Sequence, residues 1–280
     1  MSIQRIILFH FCFCLILTPS VKSLDTLGDS KPGCPDKCGD ISIPYPFGIT
    51  SEGGGEGCSI AGYGVDCDFS YDPPKPFIAT TRLQILSISE TEIRVANRIA
   101  KLCFNRNGDV VLNESVVYMS VGRTPFTFSN TKNRNTLIGC RSSANYYVDQ
   151  EDGKYSTSCI SSCESRKKVV EGSCGGFGCC QFSIPKGIKS FKITVEMSTD
   201  VPNFLSYSPC SYAFMGEYEQ ITFAESDLLA VPEDRDIPAV LDWANKNRNS
   251  IAQAVSLRSR DNQFEHLAKM IQPIPISQNY

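Results

Sequence analysis

Apolar and polar positions alternate along much of the chain before residue 225. The stretches LQILSIS (Leu83–Ser89), TEIRVAN (Thr91–Asn97), PFTFS (Pro125–Ser129) and FKITVEM (Phe191–Met197) each place their apolar side chains on one face. A repeat of two marks a half-buried strand, because successive side chains leave a pleated strand on opposite sides. NRNGD, SNTKNRN and EDGK separate the alternating runs, and their Asn, Asp and Gly favour turns. The pattern predicts a mainly β body of short antiparallel strands with long loops. After Trp243 the period changes. Ile251, Val255, Phe264, Leu267 and Ile271 recur at roughly helical spacing, which predicts a C-terminal helix or a partly ordered tail over 244–280.

The N-terminus adds a destination. Arg5 precedes an apolar run, Ile6–Leu17, and Val21 and Ser23 stand at the −3 and −1 positions of a cleavage point after residue 23. This is the layout of a secretory signal peptide, and the run is shorter than the roughly 20 residues that span a bilayer. No later stretch is apolar for long enough to span one, so the reading is a secreted, extracellular product.

The cysteines change the picture most. Fourteen are present, and Cys12 and Cys14 fall in the signal. Cys34, Cys38, Cys58, Cys67, Cys103, Cys140, Cys159, Cys163, Cys174, Cys179, Cys180 and Cys210 remain, an even set in an exported chain. Such a set reads as a disulfide framework, with the connectivity left open. Adjacent cysteines such as Cys179 and Cys180 normally join different partners. The polar turn of the sequence near Ser142–Asp152 suggests a boundary between two cysteine-rich halves. Asn113, in NES, is the only N-x-S/T sequon and a candidate glycan site.

Charge is uneven. The 30 acidic residues exceed the 25 basic ones left without Arg5 and Lys22, which argues against a nucleic-acid partner. Cys34–Asp72 holds seven acids and one base, whereas Pro73–Cys140 holds nine bases and four acids. Catalytic chemistry is sparse. The two histidines are His10, in the signal, and His266, in the tail. Neither offers the imidazole that a Cys–His or Ser–His–Asp device requires, and GxSxG, HExxH and GxxxxGK[ST] patterns are missing. Two CxxxC pairs, Cys34/Cys38 and Cys159/Cys163, have the ligands for zinc, but cysteines in an oxidising route pair with each other. The reading is non-enzymatic.

Six motifs taken together resemble one family: CPDKCGDISIPYPFGI, GCSIAGYGVDCD, NTLIGC, GGFGCCQFSIPKGIKSF, PCSYAFMGEYEQITFAESDL and IPAVLDWA. They look like the extracellular region of plant wall-associated receptor kinases, including its galacturonan-binding domain, from Cys34 to about Ala244. The resemblance implies a galacturonan-binding cysteine-rich domain over 34–140 and a second cysteine-rich domain of the wall-associated-kinase type over 141–243. It implies a module that binds pectin, or an oligogalacturonide, at the cell wall. Full-length relatives are membrane-anchored kinases. This sequence shows no HRD or DFG motif and no membrane span, which reads as a truncated or stand-alone secreted relative.

A pectin binder needs Arg or Lys to pair uronate carboxylates and aromatic faces to meet sugar rings. Arg82, Arg94, Arg98, Lys101 and Arg106 in the basic stretch are the candidate cations. If TEIRVANR is a strand, Arg94 and Arg98 share its solvent face. Tyr45 and Phe47 are candidates either for a sugar platform or for the stapled core. No cofactor is expected, although Asp66, Asp68 and Asp72 offer hard oxygen ligands by which Ca²⁺ would bridge uronates. The alternative is a protein-interaction module, a decoy or co-receptor that binds wall peptides or sister receptor ectodomains.

Overall fold

A computed structural model describes residues 30–51, 55, 57–150, 153–199, 202–229, 231 and 237–243. The signal and the tail with its expected helix lie outside the described residues. The body is mainly β, as the alternation predicts, with only short 3-10 turns beside the strands.

The described strands form five sheets. Lys37–Cys38 pairs with Ile41–Ser42. Gly64–Asp68 pairs parallel with Gly48–Ile49 and antiparallel with Lys75–Ile78. A four-stranded sheet runs Thr127–Phe128, Ala239–Asp242, Glu92–Val95, Ile85–Ile88. A five-stranded sheet runs Cys179–Ser183, Asn133–Ile138, Cys210–Glu217, Ala100–Phe104, Val110–Glu114. The second four-stranded sheet runs Val116–Ser120, Ser190–Met197, Ser142–Gln150, Gly153–Ser161.

Two sequence expectations need correction. The boundary at 140/141 does not separate two cores. Strands from either side of it pair within three of the sheets, and one buried cluster contains both Cys38 and Trp243. The polar stretch at Ser142–Asp152, read as a boundary, supplies the nine-residue strand Ser142–Gln150 inside a sheet, with Ala144, Tyr146 and Val148 buried on one face. SNTKNRN likewise enters a strand at Asn133. Buried Asn133 donates from Nδ2 to the Ser129 and Val240 carbonyls and accepts from the Val240 N–H. Its side chain mimics backbone there, which is why a polar residue tolerates that depth.

All twelve mature cysteines pair: Cys34–Cys58, Cys38–Cys67, Cys103–Cys210, Cys140–Cys163, Cys159–Cys180 and Cys174–Cys179. Cys179 and Cys180 do take different partners. The CxxxC cysteines are staples, and neither pair is bonded internally. Gly39, which follows Cys38, sits at φ +56°, and a Cβ there would lie 2.2 Å from the Pro74 carbonyl oxygen, so only glycine fits.

Two side chains, Trp243 and Arg94, join separate parts of the fold. Trp243 packs edge-on against Phe47 and Tyr63, with ring centroids 5.3 and 6.1 Å away, and donates from Nε1 to the Ser89 carbonyl at 2.9 Å. Nearby, Arg94 reaches from Glu92–Val95 to the end of Cys210–Glu217. Its Nε and Nη2 donate to the two Glu217 carboxylate oxygens at 2.9 and 2.5 Å, and Glu92 lies 3.8 Å away. The Glu217 side chain is 2% exposed. The hydrogen bond to Glu217 is the main cause that raises the Arg94 pKa above its ordinary value.

Two outcomes follow for stability. Removing Cys103–Cys210, which closes a span of 107 residues, is expected to cost about 5 kcal/mol, against about 2 kcal/mol for Cys174–Cys179 with its span of 5. Urea midpoints of the two double-alanine variants check the order. Arg94→Ala strands a buried carboxylate and is expected to cost about 3 kcal/mol. Arg94→Met/Glu217→Leu, which removes both charges, should recover most of that loss in the same assay.

Candidate functional site

The five candidate cations divide into those already engaged by the fold and those left open. Arg82 lies at φ 57° after a turn in which its N–H donates to the Ile78 carbonyl at 2.8 Å. Its guanidinium pairs with Asp66 and with Asp68, the latter at 3.2 Å, and lies 4.7 Å over the Phe77 ring. The pairing follows from the register of Gly64–Asp68 on Lys75–Ile78, which sets Asp66 beside Phe77 and Asp68 beside Lys75 on the partly exposed face. Ser70, donating from its hydroxyl and its backbone N–H, holds the Asp68 carboxyl below the usual carboxylate range, and Arg82 adds to this. Two of the three acids considered for calcium therefore already share a guanidinium. Among the described residues no group of three His, Cys, Asp or Glu is arranged to hold a metal.

Arg94 is engaged by Glu217, as described above. Ile93, Val95 and Asn97 do face inward while Arg94 and Arg98 do not, as the alternation predicts. The strand stops at Val95, however, so Arg98 lies beyond it. Lys101 lies in Ala100–Phe104 opposite Glu114 and Tyr212. Arg106 is exposed in the turn that joins Ala100–Phe104 to Val110–Glu114 and is not among the residues that line the cleft described below.

Phe47 is a correction to the platform reading. It is 2% exposed and packs against Tyr63, Phe126 and Trp243, with no ring face left for a ligand. Tyr45 is half-buried, so the two do not form a shared surface. Asn113 is exposed at the edge strand Val110–Glu114, and its Oδ1 accepts from the Ser115 hydroxyl at 2.7 Å.

Of the candidate arginines without an ion pair to a described residue, Arg98 and Arg106, it is Arg98 that the fold brings to a cleft. Buried Asn97 fixes its backbone: the Asn97 Oδ1 accepts from the Arg98 N–H at 2.8 Å, while its Nδ2 donates to the Met215 carbonyl at 2.9 Å. The Arg98 side chain lines a cleft of about 380 Å³. Buried Leu83 and Met119 form its apolar floor, Thr80, Thr81 and Ser120 supply hydroxyls, and Tyr118 and Arg123 complete the rim. Arg123 is presented by a braced turn. The Thr124 N–H and hydroxyl both donate to the Val121 carbonyl, the Gly122 N–H donates to the Ser120 hydroxyl oxygen, and the Lys189 ammonium donates to the Thr124 carbonyl. Neither Arg98 nor Arg123 has a side-chain ion pair with any described residue. No Asp or Glu appears among the described lining residues.

Sequence reasoning reaches Tyr118 only as one aromatic of the basic stretch, beside Phe126 and Phe128, and misses Arg123 as a partner of Arg98. Both lie 20 or more positions from Arg98, Tyr118 in Val116–Ser120 and Arg123 in the turn beyond it. The one local signal is VVYMSVGR, where Tyr118 occupies a polar-face position and Gly122 marks a turn before Arg123.

Comparison with known proteins places the geometry in context. Residues 34–97 match the family described as wall-associated receptor kinase galacturonan-binding. Thr80, Thr81 and Leu83 of the cleft fall inside that match, Arg98 falls just outside it, and the opposite wall lies further along the chain. Wall-associated receptor kinase 4 of Arabidopsis thaliana is 28% identical over 87% of this chain and 31% of its own length. Wall-associated receptor kinase 1 of the same plant is 31% identical over 89% of this chain and 32% of its own length. The chain thus spans about a third of the length of the curated relatives it matches. No solved structure matches it. No helix among the described residues is long and apolar enough to cross a membrane. With the family match at its N-terminal cysteines and the similarity running on to the end of the folded body, the chain is a wall-associated-receptor-kinase-like extracellular region.

Proposed function

We propose that the chain binds pectin non-enzymatically outside the cell, holding homogalacturonan carboxylates directly between Arg98 and Arg123. The observation that carries this reading is the pair of exposed guanidiniums, open among the described residues, on the rim of an acid-free cleft beside Tyr118. A guanidinium presents a planar fork of donors that matches a carboxylate, and a carboxylate on each sugar gives both arginines a partner. Tyr118, 54% exposed, offers an apolar face to a sugar ring. The match of residues 34–97 to a galacturonan-binding family supports the ligand class. Arg82 and Arg94 contribute less in this reading, because Asp66, Asp68 and Glu217 already offset their charge. Calcium is not required, since Arg82 occupies two of the acids that would hold it.

Direct pairing on an exposed rim predicts binding that weakens as salt rises. Retention on a homogalacturonan column, with chelator present and a salt gradient, measures it. Arg98→Gln/Arg123→Gln is expected to lower affinity about tenfold while leaving thermal unfolding unchanged. Arg106→Gln should leave retention unchanged. Undiminished retention of the Arg98/Arg123 variant overturns the assignment of the cleft. Loss of retention in chelator moves the reading to a calcium bridge. If the parent protein is not retained and instead captures a receptor ectodomain, the protein-interaction reading replaces it.

A further inference from the structure

Tyr118 has a second set of neighbours on the far side of the cleft. On Val116–Ser120 it lies directly opposite Lys192 of Ser190–Met197, and Lys192 lies directly opposite Tyr147 of Ser142–Gln150. Opposed residues of antiparallel neighbours project to the same face. Ring, ammonium and ring therefore form one row across three strands, with the two tyrosines about 10 Å apart at two strand spacings. All three are exposed, Tyr147 by 43%, and the Lys192 ammonium lies 5.7 Å from the Tyr147 ring centroid. A second cleft of about 380 Å³ follows this face, with Tyr118, Lys192, Tyr147 and Lys154 in its lining and no described Asp or Glu. Tyr118 lines both clefts, so the two surfaces are continuous.

Packing does not explain the row. The buried face of the same strands is already filled by Met119, Phe191, Ile193, Tyr146 and Val148. Exposed aromatics across a cation hold apolar surface in water, which is costly unless something covers it.

We propose that this row is a second subsite for the same acidic sugar chain, so that one ligand runs from Arg98 and Arg123 over Tyr118 to Lys192 and Tyr147. The proposal rests on the polyuronide reading of the first cleft. A polyuronide repeats a ring with a carboxylate, and the row repeats a ring face with a cation. Pairing to the ammonium and stacking on the rings use the same two physical terms as the first cleft. The row lies wholly outside residues 34–97, so recognition extends past the residues that match the galacturonan-binding family. Ligand length is then read by reach: short oligomers fill the first cleft, and longer ones cover both.

Calorimetric titration of the full chain with a galacturonate trimer and a galacturonate decamer, at low salt with chelator, tests this. Lys192→Gln/Tyr147→Ala is expected to weaken decamer binding about tenfold and leave trimer binding unchanged. Arg98→Gln/Arg123→Gln is expected to weaken both. Thermal unfolding of each variant checks that the fold is intact, and Lys192→Gln alone decides by the same comparison if the double variant does not fold. Unchanged decamer affinity overturns the second subsite and leaves the first cleft standing, and so does an equal loss for trimer and decamer. If neither oligomer binds the parent protein, the polyuronide reading falls as well.

Discussion

The Glu217 carboxylate sits almost wholly out of water where two sheets meet, and Arg94 is the charge that keeps it there. A lone carboxylate at that depth would carry a desolvation cost that no local contact offsets. The bidentate pair makes the junction specific, because the two ions must arrive together from strands 123 positions apart in the chain. Around it the backbone closes the same seam. The Glu217 N–H donates to the Pro238 carbonyl, Asn97 donates to the Met215 carbonyl, and Val240 pairs with Arg94 in register. With this seam fixed, Asn97 holds Arg98 at the cleft. The pair's contribution to the cleft is thus positional: it sets where the neighbouring arginine stands.

The same logic explains why the cleft exists only in the folded whole. One wall comes from the turn after Lys75–Ile78, and the other comes from Val116–Ser120 and the turn beyond it. These belong to different sheets, and the sheet of Val116–Ser120 is completed by strands from much later in the chain. Ser190–Met197 must pair with Val116–Ser120 before Tyr118 acquires its orientation, and Lys189 must reach the Thr124 carbonyl before the Arg123 turn is braced. The fold relies on pairings between residues far apart in sequence, which carry a large loop-closure entropy. Six disulfides that constrain the unfolded chain offset part of that cost.

What was legible in the sequence follows the range of each interaction. Period-two runs reveal strands because the signal is local, and Ile93, Val95 and Phe191 point inward as their spacing predicts. An even set of twelve cysteines behind a signal-like N-terminus points to a disulfide framework, although the partners of each cysteine stay hidden until the strands pair. Asn133 and Ser142 were misread as turn and boundary residues because their polar groups are satisfied by distant backbone and side chains, Val240 in one case and Ser211 in the other. For Phe47 the sequence leaves core and sugar platform open, since the residues that decide it, Tyr63, Phe126 and Trp243, lie up to 196 positions away.

Charge shows the limit most clearly. The basic excess of Pro73–Cys140 is real in sequence, yet a cation contributes to an anion site only to the extent that the fold leaves it uncompensated. The acid-rich stretch before it spends two of its carboxylates on Arg82, and the distant Glu217 takes Arg94. Arg98 and Arg123 keep their fields because their neighbours in the cleft are hydroxyls, an aromatic ring and apolar floor residues. Nearby low-dielectric surface strengthens each remaining charge, whereas an exposed compensated pair presents little net field beyond its own contact. A patch of two open arginines therefore presents a stronger site for a polyanion than the longer list of bases from which it was drawn.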